Sequence, residues 1–277
     1  MAKINLPTVP RKAVSKTPKR IIIFSKPKMG KTTTVSKLPN CLIVDCEKGT
    51  RALTALTYEV DKISDIYDLV ESIVDYGIKN DGKYPYSFIA IDTASALEEM
   101  CLPVAEHRYS LSPEGRQWFL RVDGSDNADV PLHEKSGKYQ YGSLLNLPFG
   151  KGNIYVGQVF NELMAKLENV TPKLILLAHS VEKITKNKAG VESTVIDLMM
   201  SKQCKFVSTF KADAIGYMYR KGKQNFIDFT ATEEKGIGGR HRYLEKEHIL
   251  ISEYKDKEDG SEELITYWES IYSPKEQ

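Results

Sequence analysis

Apolar residues in this chain follow two distinct patterns. Four short runs are apolar almost throughout: RIIIFS at 20–25, CLIVD at 41–45, YSFIAID at 86–92 and KLILLAH at 173–179. Between them, apolar positions recur every three or four residues, first as Ile63, Ile66, Tyr67, Val70, Ile73 and Val74, then as Val156, Phe160, Leu163 and Leu167. Unbroken runs predict strands buried on both faces, and the second spacing predicts amphipathic helices. Their alternation predicts an α/β domain with a mostly parallel sheet covered by helices. A further short helix is expected at TTTVSKL (32–38), although threonines form helices poorly. Beyond Ala212 the texture changes. AIGYMYR and NFIDFTA, separated by KGKQ, read as a β-hairpin, and EHILISEY as another strand, together an antiparallel C-terminal extension of the same sheet.

These elements place one domain over residues 20–253. Within it, residues 107–152 are rich in Gly, Ser, Pro, Asp and Lys and predict no regular element. Loops of that length inside a domain are functional or disordered. No internal repeat is found.

Composition adds limits. The 277 residues are 41% hydrophobic and 27% charged, ordinary for a globular protein. No apolar run approaches the roughly 20 residues that span a bilayer, and no signal-peptide pattern opens the chain, so no membrane role is expected. Cys41, Cys46, Cys101 and Cys204 are scattered without a C-x-x-C pair, which suits neither a disulfide framework nor a zinc site. A cytoplasmic protein with reduced thiols is expected. The net charge of +2 hides an asymmetry. The first twenty residues hold six cations and no acid, while from Glu245 onward four basic residues face ten acidic ones. Residues 1–19 therefore read as a flexible basic arm, either a solvated tail or a contact for nucleic acid. Residues 254–277 read as an acidic tail or helix.

The candidate chemistry starts at FSKPKMGKTTT, directly after the first strand. Gly30, Lys31 and Thr32 have the G-K-[ST] order of a phosphate-binding loop made by Ser25, Lys26, Pro27, Lys28, Met29, Gly30, Lys31, Thr32 and Thr33. Backbone N–H groups would curl round phosphates, Lys31 would bridge the outer ones, and the Thr32 hydroxyl would hold Mg²⁺. Ser25 stands where the usual pattern has a glycine. Two further carboxylates suit such a site. Asp92 ends the third strand, either as a second Mg²⁺-site residue or as the cap of a helix beginning near Ala94. Glu47, just past the second strand, could deprotonate an attacking water. Asp45 is its rival, and a solvated turn acid is the plain alternative. His179, ending the fourth strand, could hydrogen-bond a γ-phosphate or serve only the structure.

On these residues the chain resembles RecA-like P-loop ATPases. Its CLIVDCEKGTRAL, FIAIDTASAL and LILLAHS are most similar to phage-encoded ATP-binding proteins of homologous recombination and single-strand annealing. KADAIGYMYRKGKQ resembles that group's post-core hairpin, and LPFGKGNIYVGQVFNEL the segment before its sensor strand. The resemblance runs from about Arg20 to Glu253. It implies ATP and Mg²⁺ as cofactors, Lys31 and Thr32 as phosphate and metal ligands, Asp92 as the Walker B acid, Glu47 as the base and His179 as the γ-phosphate sensor. It also implies that the loop after His179, with Lys183, Lys186 and Lys188, contacts single-stranded DNA; a solvated lysine loop is the alternative. The group's oligomeric habit implies a homo-oligomer, ring or filament, with Lys235 or Arg240 in TEEKGIGGRHR reaching a neighbour's γ-phosphate. The glycines there equally suit an ordinary turn. A single-strand-binding protein is a further expected partner, in a bacterial host's cytoplasm. Alternatives are a replication or packaging motor or loader ATPase, or a nucleotide-gated binding protein with negligible turnover. Lys26 has the spacing of the signature lysine of ParA-like partition ATPases, but Pro27 and Lys28 follow it instead of two glycines.

Overall fold

The computed structural model describes residues 15–120, 143–186, 192–232 and 235–273. In chain order the first elements are β1 (Arg20–Ser25), α1 (Lys31–Val35), β2 (Cys41–Asp45), β3 (Leu56–Glu59), α2 (Ile63–Lys79), β4 (Phe88–Asp92), α3 (Ala94–Ser110) and α4 (Pro113–Leu120). Then come α5 (Gly152–Asn169), β5 (Lys173–Lys186), β6 (Glu192–Leu198), α6 (Lys202–Lys211), β7 (Ala214–Lys221) and β8 (Gln224–Asp228). The chain closes with β9 (Gly238–Gly239), β10 (Ile249–Asp256), β11 (Glu262–Thr266) and α7 (Glu269–Tyr272).

One sheet carries the domain, in the order β11-β10-β8-β7-β1-β5-β4-β2-β3. The four apolar runs sit together and parallel at its centre: β1 pairs β5, β5 pairs β4, and β4 pairs β2. Burial on both faces is why they carry no alternation. Ile22 and Phe24 enter the core under α2, α3 and α5, and Ile21 and Ile23 enter the core on the other face, with Val35 of α1 and Trp268 of α7. Each buried side chain of this size contributes about 1.5–3 kcal/mol. The register matters for function. Ser25 lies opposite His179 and Asp45 opposite Asp92, so all four reach the same edge of the sheet. In open α/β sheets ligands bind at that edge, outside the carboxyl ends of the strands.

The predicted hairpin is present: β7 and β8 are antiparallel, with Lys221 paired to Gln224 across the Gly222–Lys223 turn. β8, β10 and β11 extend the sheet antiparallel, as the texture change after Ala212 implies.

Three expectations need correction. Residues 254–273 are not a tail: β10 runs to Asp256, β11 pairs with it, and α7 follows. Trp268 and Ile271 are buried there, and their apolar area outweighs the acidic surroundings. Part of the 107–152 segment is regular, since α3 continues to Ser110 and α4 covers Pro113–Leu120. The segment after His179 is for the most part no loop, because β5 runs on to Lys186 and pairs with β6 in an antiparallel hairpin. At the other end, Lys19 and Arg20 are anchored through their backbone N–H groups to Asp213 Oδ2, at 2.8 and 3.1 Å.

Among the described residues no helix is long and apolar enough to cross a membrane.

Candidate active site

The phosphate-loop candidate leaves β1 at Ser25 and reaches α1 through two left-handed residues, Lys28 (φ 62°) and Gly30 (φ 87°). Gly30 is the N-cap of α1, and its carbonyl accepts the first helical bond, from Thr34 N at 2.9 Å. Only glycine adopts this conformation at little cost. Ser25, by contrast, is still within the extended strand, so the conformational freedom of a glycine is not needed there. Its hydroxyl takes a role that glycine could not: it donates to Lys26 O at 2.8 Å and accepts from Lys31 Nζ at 3.0 Å. The Lys31 ammonium also approaches the carbonyls of Ser25 and Lys26, at 3.5 and 3.4 Å. Burial lowers the pKa of Lys31, and the nearby charges of Asp92 and Glu47 oppose that shift. A buried ammonium surrounded only by its own loop's oxygens is suited to receiving phosphate oxygens.

In the first turn of α1, Thr32 Oγ1 donates to Asp92 Oδ2 at 2.5 Å. Burial raises the pKa of Asp92, the Thr32 bond works against it, and the neighbouring Glu47 carboxylate adds to it. The alternative role for Asp92, as cap of α3, is taken by its neighbour. Thr93 is the N-cap, its hydroxyl accepting from Ala96 N at 3.4 Å. Thr32 and Asp92 fit Mg²⁺, which binds through one or two carboxylate or hydroxyl groups and takes its other oxygens from phosphates and water. A cage of three or more Asp, Glu, His or Cys is absent among the described residues, and such a site does not need one.

Asp45 and Glu47 stand in different surroundings. Asp45 is fully buried, and both of its oxygens are occupied. Oδ1 accepts from Glu47 N and Gly49 N at 3.1 Å each, while Oδ2 accepts from Thr50 N at 2.9 Å and Thr50 Oγ1 at 2.6 Å. Burial alone would raise its pKa, but the bonds from Thr50, Gly49 and Glu47 together hold it below the usual value. Asp45 therefore folds the turn that presents Glu47. The Glu47 carboxylate is partly exposed, accepts from Thr93 Oγ1 at 2.5 Å, and lies 3.2 Å from His179 Nε2. The backbone is braced here as well, with Cys46 N donating to Asp92 O at 2.7 Å. On the other side of the imidazole, His179 Nδ1 is buried and has no hydrogen-bond partner among the described residues.

The structure thus brings Ser25, Gly30, Lys31, Thr32, Asp92, Glu47 and His179 to one edge. Thr93 joins them, and sequence reading did not select it. A threonine between a strand-ending aspartate and a helix start is an N-cap signature that could have identified it. Lys26 is exposed and pairs with Glu182 at 2.7 Å, away from the Lys31 ammonium's other oxygens. Several expected residues have partners elsewhere in this chain. Lys183 Nζ pairs with Asp197 at 2.9 Å, a carboxylate shared with Lys205. Lys235 Nζ lies 3.2 Å from Asp228 and above the Tyr217 ring. Arg240 donates to Phe210 O at 2.8 Å. Lys186 pairs with Glu192 in the β5–β6 ladder, and Lys188 lies outside the described residues.

Comparison with known proteins agrees with this geometry. No curated protein matches the chain. A family model described as an AAA domain matches residues 17–114, the stretch from just before β1 into α4 that holds every residue of this edge except His179. Over residues 17–114 the match indicates a nucleotide-binding ATPase domain of the AAA, P-loop NTPase kind, which typically uses Mg²⁺.

Proposed function

We propose that this protein is a RecA-like, Mg²⁺-dependent ATPase that acts on single-stranded DNA in recombination, repair or strand annealing, as the phage-encoded proteins it resembles do. One observation carries the catalytic part. A lysine on a phosphate loop, a Thr–Asp pair and a partly exposed glutamate held by Thr93 and His179 converge at the carboxyl edge of four parallel strands. Lys31 leaves its loop oxygens for phosphate, Thr32 and Asp92 hold the metal, and Glu47 accepts a proton from the attacking water. Bound Mg²⁺ supplies positive charge to the phosphoryl oxygens, and positioning and charge stabilisation carry most of such a reaction.

The DNA part is supported by connectivity. His179 lies within β5, which pairs with β6 in an antiparallel hairpin, so a change at His179 has a direct mechanical route along the strand to Lys183 and Lys186. Assembly into a ring or filament, with Lys235 or Arg240 reaching a neighbour and a single-strand-binding protein as partner, belongs to the same proposal.

ATP hydrolysis by the full chain, measured with and without single-stranded DNA, tests both parts. Hydrolysis that Lys31→Ala abolishes and DNA stimulates is the expected result. Turnover retained in Lys31→Ala would overturn the phosphate-loop assignment. Turnover indifferent to DNA, with no oligonucleotide binding at low salt, would overturn the DNA assignment alone. Replacing Lys183, Lys186 and Lys188 together should also flatten the salt dependence of oligonucleotide binding, by about 0.7 in slope per lost phosphate contact.

A further inference from the structure

Behind the phosphate loop, the C-terminal strands present a chain of polar groups buried in an otherwise apolar face. Thr34 of α1 touches Ser252 of β10, Oγ1 to Oγ at 3.0 Å. Ser252 Oγ in turn accepts from Asn225 Nδ2 of β8 at 2.8 Å, and Asn225 Oδ1 accepts from Arg220 Nε of β7 at 2.9 Å. Thr34, Ser252 and Asn225 are each at most 1% exposed. Three polar side chains buried this deeply are satisfied by one another, and each restricts its neighbour.

The chain ends on the phosphate loop itself. A Cβ added to Gly30 would meet Arg220 Nη2 at 3.0 Å and Asn225 Nδ2 at 3.6 Å. The guanidinium therefore lies against the αL residue that turns the loop into α1. Its Nε is held by Asn225, and no carboxylate among the described residues pairs with it. The arginine and its anchor come from strands outside residues 17–114.

We propose that Arg220 is a positioning residue of the nucleotide site: held by the Thr34–Ser252–Asn225 relay, it fixes the turn at Gly30 and adds a positive charge beside the bound polyphosphate. This rests on the nucleotide-site reading above. A guanidinium whose Nε is already committed loses little freedom when an anion arrives, and it remains charged at every accessible pH. Arg220 is exposed, so its effect on phosphate is electrostatic and falls as added salt shortens the Debye length, about 10 Å at 0.1 M. The relay makes that charge a fixed feature of the loop.

The test is the affinity of the full chain for a slowly hydrolysed ATP analogue with Mg²⁺, at low and high salt, together with melting in its absence. Arg220→Ala should weaken binding about tenfold at low salt and markedly less at high salt, since a triphosphate places several charges within one Debye length. Melting without nucleotide should fall modestly, because the guanidinium is exposed but its loss leaves the buried Asn225 Oδ1 without its donor. Arg220→Lys should recover part of the affinity, and Ser252→Ala, which breaks the relay without touching the charge, should cost about threefold. Wild-type affinity in Arg220→Ala, or a loss that is independent of salt, would overturn the inference while leaving the nucleotide site standing. Unchanged affinity in Ser252→Ala would overturn the relay. Absence of any binding that Lys31→Ala abolishes would remove the nucleotide reading and this inference together.

Discussion

The two halves of the sheet use polar residues in opposite ways. In the parallel half, β1, β2, β4 and the first part of β5 are apolar almost throughout, and Ser25, Asp45, Asp92 and His179, where those apolar runs end, line one edge. In the antiparallel half, polar residues are inside: Asn225 and Ser252 are in the middle of the core-facing strands, and Trp268 donates from α7 to Thr34 O at 3.1 Å. The parallel half carries the candidate site, and the antiparallel half grips the helix behind its phosphate loop. Burying polar groups is costly unless they are paired, so a relay of this kind specifies one packing of α1 and excludes looser ones. A phosphate loop is only as well placed as the helix behind it. Here that helix is five residues long, too short to hold itself.

Four variants would break or sharpen this contrast. The largest effect belongs to the parallel half. Glu47→Gln should lower ATP hydrolysis by about 10² to 10⁴ while leaving nucleotide binding intact, the usual consequence of losing a general base. A rate assay paired with an equilibrium binding titration separates these. Near-normal turnover would return Glu47 to the status of a turn acid.

Next comes Trp268→Ala, in the antiparallel half. It removes a buried indole and the bond to Thr34 O, and should cost about 3–5 kcal/mol of stability in a denaturant titration. If the two halves are coupled as described, the variant should also bind nucleotide more weakly under conditions where it is still folded. A loss of stability with unaltered affinity would show that α7 serves the core alone.

Asp45→Asn should cost less, about 2 kcal/mol at neutral pH, because the amide cannot accept all four bonds of the turn. Its pH dependence has a defined sign. The folded pKa of Asp45 lies below its ordinary value of 3.8, so its stabilising contribution is full above that value and is lost as pH falls through the lower, folded one. The gap between wild type and variant should therefore close in strong acid. A gap that persists there would mean that the bonds to Thr50 and Gly49 do not depend on charge.

Last, and of similar size, is Gly216→Ala on β7. An added methyl would meet Ile227 Cγ2 at 2.5 Å and Phe229 Cε1 at 2.7 Å, and such overpacking costs about 1–3 kcal/mol. Thermal melting checks it. A neutral result would mean that the antiparallel strands shift readily, weakening the case that they hold α1 rigidly.

Much of this molecule was legible in the sequence because local physics dictates it. A β-branched run buried on both faces has few alternatives to a central strand. Gly30 followed by Lys31 and Thr32 after such a run has few alternatives to a phosphate loop, and the 63–74 periodicity led directly to α2. The edges were less legible. β3 is largely exposed, β6 has little apolar content, and β11 is polar at its start, so none carries a strong pattern and each depends on its partner strand. The C-terminal acids hid a buried Trp268 and Ile271, since composition averages over residues that the fold treats separately.

The sequence by itself determined the order along the chain of the strands that carry the candidate site and the kinds of group at their ends, because both follow from runs of neighbouring residues. Only the tertiary structure decided which carboxylate is free. Asp45 and Glu47 are two residues apart and chemically alike, and it took the closing turn at Thr50 to occupy one and the approach of Thr93 and His179 to orient the other. It also decided that Lys183 answers to Asp197, and that Arg220 reaches Gly30 across 190 positions of chain. Contacts of that range depend on how strands are ordered in the sheet, and no local pattern of residues encodes that order.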